Sequence, residues 1–130
     1  MLNDLTSFST PKNFSFKNLS DYKFGGIYII FSIDKNGNRE IVKIGESNFI
    51  YRRIANYLKP IEEKDKFNQK KVTRRTIQEN MTKGESDGLT YQICWKIEEE
   101  SKTRKQLEKD LISEFIRLNG KRQIMNSNNR

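Results

Sequence analysis

Four side chains of different chemistry fall where a fold could use them together. Tyr28 and Lys43 lie in two β-prone runs, Gly25 to Asp34 and Arg39 to Ser47, joined by the turn Asp34-Lys35-Asn36-Gly37-Asn38. Strict alternation puts Ile27, Ile29, Phe31 and Ile33 on one face, facing Val42 and Ile44. Tyr28 and Lys43 then share the less apolar face, where they can be neighbours across the ladder. Arg53 follows Ile50 and precedes Tyr57 at helical spacing, which sets it at the edge of a buried stripe. Glu108 falls inside the apolar arc of Leu107, Leu111, Ile112, Phe115 and Leu118. A buried carboxylate without a partner is costly, so Glu108 needs a cation, a metal or a hydrogen-bond network. The chain has 0 histidines and 1 cysteine. That removes histidine bases, Cys/His zinc sites, Ser-His-Asp triads and Cys-His nucleophiles together. Any enzyme on this chain must work with carboxylates, Tyr, Lys, Arg or Ser, with or without an oxygen-bound metal.

The elements that must position these groups belong to one domain, given 130 residues with 34% hydrophobic side chains. No apolar run approaches the roughly 18 residues of a membrane helix. The first residues, MLNDLTSFSTPKNF, lack the basic and apolar regions of a secretory signal, and a lone cysteine fits a cytosolic setting. With 25 Lys+Arg against 17 Asp+Glu the net charge is +8, which suggests a polyanionic partner, most often nucleic acid. The excess is concentrated. Residues 48–84 carry ten basic and four acidic side chains, and Arg117 to Arg130 adds Arg117, Lys121, Arg122 and Arg130 with no acid.

Residues 1–24 read as an arm lying on the domain or on a second subunit, with Phe8, Phe14, Phe16 and Phe24 as packing groups. After the hairpin, Ser47-Asn48 can cap a helix running to Lys59, which Pro60 ends. A charged loop follows, then a basic helix over 69–84 with Gly84 as its stop. Leu89 to Ile97 alternates as a third strand, with Leu89, Tyr91, Ile93, Trp95 and Ile97 inward. Cys94 falls on its other face as a small, half-buried residue with no catalytic role. Lys102 to Leu118 is the strongest helix. Glu46 reads as a surface residue, and Glu114, at the arc's edge, is a weaker rival to Glu108.

This order carries recognisable motifs. Gly26-Ile27-Tyr28 opens the first strand and Lys43-Ile44-Gly45 ends the second; Arg53 lies in YRRIANY, Glu108 in LEKDLI and Asn126 in IMN. From about Gly25 to Asn126 the chain resembles the GIY-YIG nuclease superfamily. Its small stand-alone members, restriction endonucleases and the phage endonuclease II type, are the nearest in layout. Two departures stand out: Lys43 occupies the place of the family's second tyrosine, and the hairpin is a few residues longer than in many members.

The resemblance implies an α+β fold, a three-stranded antiparallel sheet flanked by helices, here with a helical insert over 60–84 in a domain spanning 25–130. It also implies a metal-dependent endonuclease acting on double-stranded DNA as a homo-oligomer, since one site cuts one strand. Tyr28 would be the general base. A free phenol has a pKa of about 10, and a neighbouring cation such as Lys43 favours the phenolate. Arg53 would hold phosphate oxygens through its planar fork. Glu108 would bind Mg2+ or Mn2+, Asn126 would orient a neighbour near the metal, and Tyr57 would contact the phosphate or pack. Lys70, Lys71, Arg74 and Arg75 in the insert would contact the DNA. The rival expectation is a nucleic-acid-binding protein on the same fold that has lost catalysis.

Overall fold

The computed structural model describes residues 5–13, 22–58, 72–121 and 123, with the backbone alone for 56–58 and 72–78. The element order is β1 (Lys12–Asn13), β2 (Gly26–Ile33), β3 (Arg39–Ser47), α1 (Ile50–Leu58), α2 (Val72–Ser86), β4 (Thr90–Ile97) and α3 (Ser101–Asn119). The fold is α+β. The strands form one antiparallel sheet in the order β1-β4-β2-β3. Three of the strands were legible as alternating runs. The fourth, β1, is two residues of the N-terminal arm laid along β4, too short to leave a period of its own.

The hairpin closes through its turn residues. Both the Asn36 and Asn38 backbone N–H groups donate to Asp34 Oδ1 at 2.9 Å, and Gly37 adopts φ +82°. These bonds, led by that from Asn38, hold the Asp34 carboxyl below the usual carboxylate range.

The pairing of β2 with β3 departs from simple alternation. Ile30 pairs with Lys43, but Phe31 pairs with Ile41, so Val42 is an extra residue in β3. Such a bulge puts two consecutive side chains on one face. Val42 therefore joins Tyr28 and Ile30 in one apolar cluster, while Ile41 joins Phe31, Ile29 and Ile44 in the other. The expected partition had Val42 and Ile41 on the opposite faces. It also made Tyr28's face the less apolar one, whereas helices cover both faces. Ile50 and Ile54 of α1 and Met81 of α2 pack on the Tyr28 side. Ile112 and Phe115 of α3 pack on the other.

Gly84 does not stop α2, which runs to Ser86. It lies where a Cβ would collide with the Tyr91 hydroxyl, which donates to the Asn80 carbonyl at 3.3 Å. The turn after α2 is made at Gly88, with φ +88°. Ile97 and Leu118, expected to face inward, are exposed. Residues 5–13 rest on the sheet: Leu5 and Phe8 pack against the α3-side cluster, and Ser9 exchanges hydrogen bonds with the Trp95 backbone. Among the described residues no helix is long and apolar enough to cross a membrane.

Cys94 is buried rather than half-buried, against Ile29 and Ile112 on the α3 side. Burial pushes its thiol up to about 12. The unfolded thiol titrates near about 8.5, so the native state holds its proton longer. Cys94 therefore contributes stability that is fully present below about pH 8.5 and is lost as pH rises towards 12. In a native-state thiol assay at pH 8, Cys94 should react only after denaturant is added. A stoichiometric reaction of the folded chain would contradict this packing.

Candidate active site

Tyr28 lies on the central strand β2 and pairs with Gly45 on β3, the outermost strand of the sheet on that side. Its ring reaches sideways over Gly45. A Cβ at Gly45 would collide with the Cζ and Oη atoms of Tyr28. The glycine is therefore needed for space, and the phenol oxygen rests over the edge strand. Lys43 is two residues upstream on the same face, opposite Ile30. Tyr28 is 1% exposed and Lys43 2% exposed.

Helix α1 packs on this face through Ile50 and Ile54, both fully buried. Its entry is fixed locally. The Phe49 N–H donates to Ser47 Oγ at 3.1 Å, and the Ile50 N–H donates to the Phe24 carbonyl at 2.9 Å. The Ser47 hydroxyl therefore braces the turn that leads into α1, three residues before the helix begins, rather than capping its first turn. Arg53 leaves the helix next to Ile54 and is exposed. Tyr57 falls within α1, with its side chain outside the described residues.

Glu108 is placed differently. It lies on α3, which packs on the opposite face of the sheet from Tyr28. There it lines a groove of about 490 Å³ with Glu46, Lys105 and Lys109, over Ile112 and Ile116. Among the described residues, Tyr28, Lys43 and Arg53 do not line that groove. The structure thus gathers Tyr28, Lys43 and the Arg53 helix on one side and sets Glu108 on the other. The two sides meet at β3, where Gly45 sits under Tyr28 and its neighbour Glu46 pairs with Ile27 and faces the groove.

Glu46 is not a free surface residue. Arg104 Nε donates to Glu46 Oε2 at 3.1 Å, and Arg104 Nη1 donates to the carbonyls of Glu98 and Glu99 at 3.2 and 2.8 Å. Arg104 is buried and ties the start of α3 to the end of β3. The sequence held a signal for it, because Arg104, Glu108 and Ile112 recur every four residues on one helix face. Glu46 and Glu108 both line the groove, with Glu46 bound to Arg104 and with Lys105 and Lys109 alongside. No group of three or more candidate ligands occurs among the described residues.

The remaining expectations are less fully placed. Arg74 and Arg75 fall within α2, with side chains outside the described residues. Lys70, Lys71 and Asn126 lie outside the described residues altogether. Comparison with protein families, curated proteins and solved structures finds no match for this chain.

Gly45→Ala should destabilise the fold by about 1–3 kcal/mol, the usual range for overpacking a filled site. In a Tyr28→Ala background the same change should cost much less, read by urea denaturation as a double-mutant cycle. Additive costs would show that the Tyr28 ring does not rest on Gly45.

Proposed function

We propose that this chain is a metal-dependent endonuclease of the GIY-YIG type. Its substrate would be double-stranded DNA, cut in the manner of restriction or phage endonucleases and by a homo-oligomer. The observation that carries the reading is the phenol of Tyr28 seated on Gly45. It joins the first and second motifs in space, with Lys43 beside them and the helix of Arg53 packed on the same face. An antiparallel sheet with helices on both faces is consistent with it, and β1 is an addition to the three strands the family implies.

In this reading Tyr28 takes the proton of the attacking water, with Lys43 as the cation on the same face of the sheet. Arg53, exposed on α1, holds the phosphate and offsets the charge that grows on its oxygens. Glu108, which lines the groove, would hold Mg2+ or Mn2+, which when bound supplies Lewis-acid stabilisation of phosphoryl oxygens. Because Tyr28 and Glu108 lie on opposite faces, one phosphate can serve both only across the outer side of β3, at Gly45 and Glu46. Asn126, Tyr57 and the insert residues Lys70, Lys71, Arg74 and Arg75 keep the roles the resemblance implies.

A second reading has its own observation. Tyr28 and Lys43 are buried, and Glu108 faces away from them, as expected of a nucleic-acid-binding protein that no longer cuts. Plasmid nicking separates the two. The endonuclease reading expects nicked or linear product with Mg2+ or Mn2+ and none with EDTA. Glu108→Gln should lower the rate on the order of a hundredfold or more while leaving gel-shift affinity intact. Salt-sensitive binding without cleavage in either metal would establish the second reading instead.

A further inference from the structure

Away from the groove, half-buried aromatic rings and exposed cations alternate in a band from β4 to the start of α1. The rings of Trp95 and Phe24 lie 6.1 Å apart, and those of Phe49 and Tyr51 5.7 Å apart. Lys23, next to Phe24 in the chain, sits over the Tyr51 ring at 5.6 Å and so bridges the two pairs. Arg52 sits over Phe49 at 5.7 Å. Phe24, Tyr51 and Trp95 are anchored on the Tyr28-side cluster, so the rings have fixed positions. Lys23, Arg52 and the neighbouring Arg53 are exposed.

Among the described residues, the three acids that follow β4 are hydrogen-bonded within the chain. Glu99 Oε1 accepts from the Gly25 N–H at 2.8 Å, Glu98 Oε2 from the Glu100 N–H at 3.2 Å, and Glu100 Oε2 from the Thr103 hydroxyl at 2.7 Å. The first turn of α1 contains no acidic residue, so the partial positive charge of its N-terminus adds to the same field.

We propose that this band binds single-stranded DNA. Anchored rings provide faces on which bases stack, and cations at the same spacing meet the phosphates between them. A solvent-exposed cation resting on a half-buried ring makes only a weak contact, so Lys23 and Arg52 can turn to phosphate while a base takes the open part of the ring face. Duplex DNA, with its bases already stacked, offers the phosphates but not the base faces. An acidic peptide offers the charge alone. Arg53 follows Arg52 on the same helix, so an unpaired stretch held on the band would share α1 with the proposed cutting site.

The chain's 1 tryptophan is in the band and reports on it directly. The full chain is titrated in EDTA with (dT)20, a duplex hairpin of equal charge, (rU)20 and polyglutamate. The expected result is saturable quenching of Trp95 emission by (dT)20, with affinity on the order of tenfold above that for the duplex. Tyr51→Ala should weaken (dT)20 binding on the order of tenfold. Arg52→Glu, at an exposed position where folding is not at stake, should weaken binding and flatten its salt dependence. Equal affinity for the duplex, tighter binding of (rU)20, displacement by polyglutamate at matched charge, absence of quenching, or indifference to Arg52→Glu would each overturn the proposal. The outcome is separable from cleavage: a chain that cuts plasmid but does not bind (dT)20 loses this band alone, and one that binds (dT)20 but never cuts loses the endonuclease alone.

Discussion

The contact on which the rest depends is a tyrosine ring lying where a side chain at position 45 would be. Because Gly45 has no Cβ, the Tyr28 ring can extend from the middle of the sheet over its last strand. That displacement carries the phenol from the sheet centre towards its outer strand, while the ring stays buried in the cluster under α1. It also fixes the register of β2 against β3. A slip of one residue would put Ile44 or Glu46 beneath the ring and turn every side chain of the strand over.

Two further features follow from this arrangement. With Tyr28 and Lys43 held on one face, the bulge at Val42 sends Val42 to their cluster and Ile41 to the other, where it joins Ile44. The second is Arg104. Its links to Glu46 and to the carbonyls before α3 fasten that helix across the end of β3, one turn from Glu108. The carboxylate side of the molecule is thereby aligned with the phenol side through two adjacent residues, Gly45 and Glu46. A buried ion pair of this kind adds little net stability, but breaking it would leave a charge without compensation, which favours one fixed placement.

Much of the fold was legible because its signals are local. The Asn-Gly turn, the alternation in β2 and β4, and the apolar stripes of α1 and α3 all follow from nearest-neighbour spacing. The exceptions have physical causes. A bulge leaves no mark in a run of β-branched residues, so Val42 and Ile41 were assigned to each other's faces. Gly84 resembles a helix stop, yet the space beside it is filled by Tyr91, which is distant in sequence. The two-residue β1 exists only because β4 offers it an edge. For the site, the residue types and their elements were readable, but the side of the sheet was not. Which face α3 covers depends on the chain's path after β4, and periodicity cannot specify it. Glu108 and Tyr28 consequently lie on opposite faces.

For the proposed cleavage, a metal held by Glu108 must lie close enough to serve the phenol of Tyr28. Paramagnetic broadening by substoichiometric Mn2+ in an amide-resolved NMR spectrum measures this directly, because the effect falls off steeply with distance. Signals of Glu108 and Glu46 should fade first and those of Gly45 and Tyr28 soon after, while the turn at Gly37, at the far end of the hairpin, stays sharp. Broadening that leaves Gly45 and Tyr28 untouched, or that centres away from the α3 groove, would contradict it.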